Sequence, residues 1–271
     1  MRRLGVINKT LLVAVAFSAF GVGEASAQST NPPDMIFVKG GTFKMGSTEG
    51  YADESPVHSV TLSDFYIGKY EVTVAQYKQF CNATGHRFPA SPKPDWYEEH
   101  DNAVQWQWND TYPIVNVTYF DAVAYCKWLS EFTGEEYTLP TEAQWEYAAK
   151  GGQKSKNYKY AGSNDIDEVA WYDETTRERG PRSVGKLKPN ELGIYDMSGN
   201  AWEWCLDNWG KYTSKSEKDP TGPVQGGLFK VIRGGSWYYV DDMARLTSRD
   251  GPKPRDTNFN YGFRVVKSAK K

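Results

Sequence analysis

The chain has only three cysteines in 271 residues, Cys81, Cys126 and Cys205, so at least one thiol stays free and no CxxC pair exists. Histidine is equally scarce. His58 sits in a polar stretch and His86 follows a glycine that ends a helical pattern, so both read as solvated loop residues, and His100 completes the set. There is no excess of basic charge: 32 Lys and Arg stand against 34 Asp and Glu, which excludes a generic phosphate-binding surface and a nucleic-acid partner. The longest apolar run, Leu11 to Val22, is too short for a comfortable membrane span. No internal repeat or low-complexity tract occurs, and the length suits one domain. Aromatic residues, by contrast, make up 15% of the chain, enough with the aliphatic residues to build a core and to exclude disorder.

The amino-terminal segment reads as an address. Arg2, Arg3 and Lys9 precede the apolar run, and Ala25-Ser26-Ala27 then offers a small-residue cleavage site. Residues 1–27 are therefore expected to be a secretory signal, with 28–34 a polar linker, 35–267 the folded domain and 268–271 a basic tail. Losing the signal removes three cations and one anion and takes the net charge from −2 to −4. The expectation is a periplasmic or secreted bacterial protein with no stable membrane anchor after cleavage.

Met35–Val38 and Thr42–Met45 predict two short strands around Gly40-Gly41, and Val60, Leu62, Phe65 and Ile67 mark another strand or two. Thr73 and Gln76 form a capping box before a helix that Gly85 stops. Thr118 starts a second helix with Ala122, Cys126, Leu129 and Phe132 on one stripe, ending at Gly134. Thr141 and Gln144 start a third, with Trp145, Ala148 and Ala149 facing inward. Cys81 and Cys126 fall on apolar helix faces and read as inert thiols. Beyond residue 150, glycine, proline, asparagine and aromatic residues interrupt very short apolar runs. Long loops held by a few strands follow, and such loops usually carry function. The Trp106-Gln107-Trp108 run either covers the core or offers a stacking platform for carbohydrate.

The densest cluster spans Gly193 to Trp204. Asp196 and Glu203 offer hard carboxylate oxygens, and the carbonyls of Gly199 and Ala201 can converge with them, a donor set that suits calcium. The alternative is that Asp196 caps a turn and Glu203 pairs with Arg233 or Arg264.

Six motifs occur in order: Gly40-Gly41-Thr42-Phe43 with Met45-Gly46, Tyr70 to Thr73, Leu139 to Ala148, Asp196 to Trp204, Arg233 to Trp237, and Gly262-Phe263-Arg264. Together they resemble the formylglycine-generating enzyme (sulfatase-modifying factor) family over roughly residues 35–267. The resemblance implies an α+β fold, a loop-rich single domain that is a variant of the C-type lectin fold. It also implies oxidation of a sulfatase cysteine to formylglycine, using copper held by two cysteines after the Gly-Gly-Ser motif. Soft thiolates suit copper(I). This chain has no cysteine beyond Cys205; Tyr239 and Ala244 stand near the two expected positions, so copper is not expected. Val265 stands where the resemblance implies a disulfide partner for Cys126, so no essential disulfide is expected. The iron-dependent relatives need a histidine cluster, which three scattered histidines do not supply.

Several functions stay open. The chain resembles exported members without the copper cysteines, among them a periplasmic protein of pyoverdine maturation that acts in oxidative tailoring, and also members whose lectin-like fold binds ligands. An active formylglycine-generating oxidase is the further alternative. In the first two, residues 236–261 would line the functional groove for a small-molecule, peptide or glycan ligand. Ser236, Trp237, Tyr239, Arg249 and Tyr261 are its candidate residues, with the Gly234-Gly235 turn presenting Ser236 and Trp237 at the rim. Arg264 is expected either near that groove or buried against Glu203. Asp241, Asp242, Arg245 and Arg249 read as an ion-pair network on the surface more readily than as a catalytic set.

Overall fold

The computed structural model describes residues 32–91, 107–176, 179–223 and 227–269. The expected signal peptide, most of the linker and Trp106 lie outside these residues. Along the chain the elements are β1 (Met35–Val38), β2 (Gly41–Met45), β3 (His58–Leu62), β4 (Phe65–Gly68), α1 (Val74–Thr84), α2 (Tyr119–Thr133), β5 (Tyr137–Thr138), α3 (Glu142–Ala149) and a single turn α4 (Asp173–Thr176). There follow β6 (Trp202–Asn208), β7 (Glu217–Lys218), β8 (Lys230–Arg233), β9 (Arg249–Asp250), β10 (Tyr261–Gly262) and β11 (Val266–Ser268).

All three main helices start where a side chain satisfies the free amides of the first turn. Thr73 accepts from Gln76 N–H, Thr118 from Asp121 and Thr141 from Gln144, each completed by the reciprocal bond of a capping box. Gly85 and Gly134 close α1 and α2 in the left-handed conformation, which glycine adopts without penalty. Phe132 differs from expectation. It lies at the edge of the α2 stripe, 48% exposed, and stacks on Trp128 instead of entering the core.

The sheets are small and interlocked. One has the order β1-β4-β11-β5, the second β10-β6-β8-β9 and the third β2-β3-β7. β1 and β2 do not form a hairpin with each other: β1 pairs with β4 and β2 with β3. Gly40 is the corner where the chain changes sheets, and a side chain there would strike the Leu62 carbonyl. β11 lies between β4 and β5, so the last strand ties both ends of the domain together. α1 and α2 pack Tyr77, Phe80 and Tyr125 against Phe263 on one core, while α3 packs Trp145 and Tyr147 against the other. Cys81 and Cys126 are buried on α1 and α2, and Cys205 on β6. Among the described residues no helix is long and apolar enough to cross a membrane.

Candidate functional site

β6 alternates, so Glu203, Cys205 and Asp207 point to one side and Trp202 and Trp204 to the other; both sides are buried. Glu203 is fully enclosed. Its carboxylate accepts from Arg264, Nε to Oε2 and Nη2 to Oε1 at 2.6 Å each, and from Trp145 Nε1 at 2.8 Å. Arg264 also donates to the carbonyls of Gly68 and Tyr195 at 3.0 Å. Arg264 is thus the lock on Glu203 and not a donor at a groove, as one of the two expectations held.

Two more carboxylates converge on this arginine. Glu71 accepts from Asn200 Nδ2 at 2.7 Å and from Ala201 N–H at 2.9 Å. Asp196, at φ +57°, accepts from Gly185 N–H at 2.7 Å. Burial, with the charges of Asp196 and Glu203, lifts Glu71 well above the usual carboxylate range. Burial lifts Asp196 to about 6, although the Gly185 amide and Arg264 oppose the shift. Three carboxylates therefore share one guanidinium, an imbalance that protons or a cation must offset in a dry interior. Among the described residues no three His, Cys, Asp or Glu converge to hold a metal ion, so a cation here would depend on the Gly199 and Ala201 carbonyls beside Asp196 and Glu203.

The 236–261 segment is more deeply packed than expected. Gly234 and Gly235 turn the chain at φ +102° and +72°, but the turn carries Ser236 and Trp237 inward, to 1% and 0% exposure, and not to a rim. Ser236 Oγ accepts from Asn260 Nδ2 at 3.0 Å. Trp237 packs against Phe259 and Tyr238, while half-buried Tyr239 meets Trp202 edge-on at 6.0 Å and Tyr261 meets Trp204 at 5.5 Å. Burial removes the large Trp237 ring from water, and Ser236 goes in with it because Asn260 satisfies its hydroxyl. Three polar atoms in this layer, Trp202 Nε1, Trp237 Nε1 and Asn260 Oδ1, are buried with no hydrogen-bond partner among the described residues. Trp108, the described part of the tryptophan run, meets Phe88 edge-on at the core margin.

Arg249 belongs elsewhere. Its guanidinium grips Glu142 with two bonds of 2.7 Å and lies over the rings of Trp209 and Tyr212, 4.1 and 4.2 Å from their centroids. Arg233 joins Glu142 at 3.2 Å to Glu146 at 2.5 Å, and Arg245 pairs with buried Glu54. The four-residue cluster 241–249 is therefore half interior, because its arginines reach acids distant in sequence. Glu54, Glu71, Glu142 and Glu146 escaped the sequence reading. Asp207 did too, although its position four residues after Glu203 on one strand places both on one face.

Copper does not fit these residues. Cys81, Cys126 and Cys205 sit on three different elements, all buried, and burial raises all three thiols, Cys81 to about 11. Tyr239 and Ala244, which stand near the positions of the expected pair, are half-buried and buried.

The sulfatase-modifying factor enzyme 1-like domain matches residues 20–269. The chain is 33% identical to the chaperone protein LppX of Paenibacillus barcinonensis, over 95% of this chain and 97% of that protein. It is 32% identical to the formylglycine-generating enzyme of Streptomyces coelicolor, covering 90% and 92% of the two chains. A 32% match to the serine/threonine-protein kinase pkn1 of Chlamydia pneumoniae covers 87% of this chain but only 38% of the kinase. PvdO from Pseudomonas aeruginosa superposes with a TM-score of 0.75 at 28% identity, over 87% of this chain and 94% of that one. The architecture is the α+β, formylglycine-generating-enzyme-like variant of the C-type lectin fold. The chain belongs to the sulfatase-modifying factor family, as a divergent member that resembles the formylglycine-generating enzymes without their copper-binding cysteines.

Proposed function

We propose that this protein is an exported binding domain that does not carry out copper-dependent formylglycine generation. The observation behind the proposal is the thiol arrangement, three buried cysteines on separate elements and none after Cys205. Tyr238, Tyr239, Val240 and Phe259 would form the contact surface for a small-molecule, peptide or glycan ligand, over the layer that holds the unpartnered Trp202, Trp237 and Asn260 atoms. Export rests on the charged, apolar and small-residue segments of residues 1–27. Incubation with copper and a sulfatase-motif peptide, followed by mass spectrometry, should leave the peptide cysteine unchanged. Formylglycine in the product would overturn the proposal. On peptide and glycan arrays, Tyr238→Ala should remove binding that the wild type shows without lowering its melting temperature to that of a core truncation.

Calcium would supply the charge that the acidic centre lacks, with Asp196, Glu203 and the carbonyls of Gly199 and Ala201 holding it. Among the described residues the Asp196 carboxylate makes one hydrogen bond, through Oδ2, which leaves Oδ1 for a cation. Glu203 would serve calcium while still paired with Arg264. A cation bound only by the native state raises the melting temperature by mass action, so chelator should lower it and Asp196→Asn should shrink the difference. Identical melting curves in chelator and in millimolar-range calcium would assign the neutralisation to protons on Glu71 and Asp196.

A further inference from the structure

A cavity of about 270 Å³ opens beside β3, the first turn of α3 and the end of β6. Its lining includes none of Ser236, Trp237, Tyr239 and Tyr261. We propose that it binds a small primary amine, whose ammonium group is held by the Asp207 carboxylate and His58 and whose carbon chain lies against Met45, Tyr212, Pro220 and Pro223.

Asp207 is 3% exposed and makes a single hydrogen bond, accepting Glu142 N–H on Oδ2 at 2.9 Å. Its other oxygen has no donor among the described residues. The cations buried or half-buried beside it are committed elsewhere, since Lys230 donates to the Leu206 carbonyl and Arg249 gives its guanidinium to Glu142 and to the carbonyls of Asp53 and Gly210, while Lys211 lines the cavity from an exposed position. Arg233 is likewise taken by Glu142 and Glu146. Among the described residues, the buried acid on the cavity wall that makes no ion pair is therefore Asp207; Glu217, also on the wall, is exposed to solvent.

His58 was expected in a solvated loop, yet it opens β3 and is 4% exposed. Its Nδ1 lies 3.1 Å from the Pro56 carbonyl. A carbonyl cannot donate, so Nδ1 carries the hydrogen and the neutral ring keeps Nε2 as an acceptor. The ring packs on Tyr212 at 4.8 Å, which gives the cavity an aromatic wall. Two acceptors and an aromatic ring call for a ligand that donates and is positive; an ammonium has three donors and no acceptor. A carboxylate or phosphate would meet Asp207 and Glu142 instead, and the small volume excludes a bulky partner.

Burial and the Glu142 charge raise Asp207 to about 7, against the Glu142 amide, Lys230 and Arg249. Protons then compete with the amine: below about pH 7, affinity falls roughly tenfold per unit, and above it affinity levels off.

Titration of the whole chain with n-butylammonium tests the proposal, with n-butanol and butyrate as neutral and anionic controls. Saturable binding is expected at pH 8, weakened roughly tenfold at pH 6, with neither control bound. Asp207→Asn, whose amide oxygen still accepts from Glu142 N–H, should weaken butylammonium at least tenfold without lowering the melting temperature. Equal binding of a control, affinity unchanged in Asp207→Asn, or no saturation by roughly 10 mM amine would each overturn it. If Asp207→Asn does not fold, the pH dependence and the two controls on the wild type decide.

Discussion

Arg264→Ala should come close to unfolding the domain. The substitution leaves Glu203, fully enclosed, beside the acidic Glu71 and Asp196 with no guanidinium, and it strips the Gly68 and Tyr195 carbonyls of their donors. Removing one partner of a buried ion pair costs about 3–5 kcal/mol. Against a total stability of about 5–15 kcal/mol, that is most or a large share of the reserve. Urea denaturation checks it, with Lys39→Ala as control: Lys39 pairs with Asp64 at 63% and 35% side-chain exposure, and such exposed pairs contribute about 0–1 kcal/mol. Arg264→Lys should recover only part of the loss, since one ammonium cannot reproduce the two-pronged grip. An Arg264→Ala protein as stable as the control would show that the acidic centre is neutral and needs no arginine.

Glu142→Ala is expected to have the next largest effect, about 3 kcal/mol. Glu142 takes two bonds from Arg249, one from Arg233 and one from the Tyr212 hydroxyl at 2.9 Å, so its loss leaves Arg249 buried with carbonyl partners alone. Arg233 retains Glu146, which keeps the cost below that of Arg264→Ala. A second readout separates charge from packing. Because the Glu142 charge helps to raise Asp207 from its ordinary value to about 7, Glu142→Gln should lower the Asp207 midpoint in a carboxyl-carbon NMR titration. An unmoved midpoint would leave burial as the sole cause.

The sequence by itself determined what depends on near neighbours. Thr73, Thr118 and Thr141 cap helices whose third residue returns the bond, and Gly85 and Gly134 end two of them, because caps are satisfied within four residues. The inward thiols of α1 and α2 follow from helical period in the same way. The ordered motifs were enough to identify the family. The tertiary structure alone decided which acid meets which base. Glu71 reaches Asn200 across 129 residues, Arg249 reaches Glu142 across 107, and Arg264 takes Glu203, not Arg233, though both arginines were open to it in the sequence. It also decided that Ser236 and Trp237 turn inward and that His58 leaves its expected loop to face Asp207's cavity. Local spacing fixes a helix end because its hydrogen bonds close within a turn. A buried charge is satisfied only by whichever opposite charge the folded chain brings within about 3 Å, and no residue spacing records that distance.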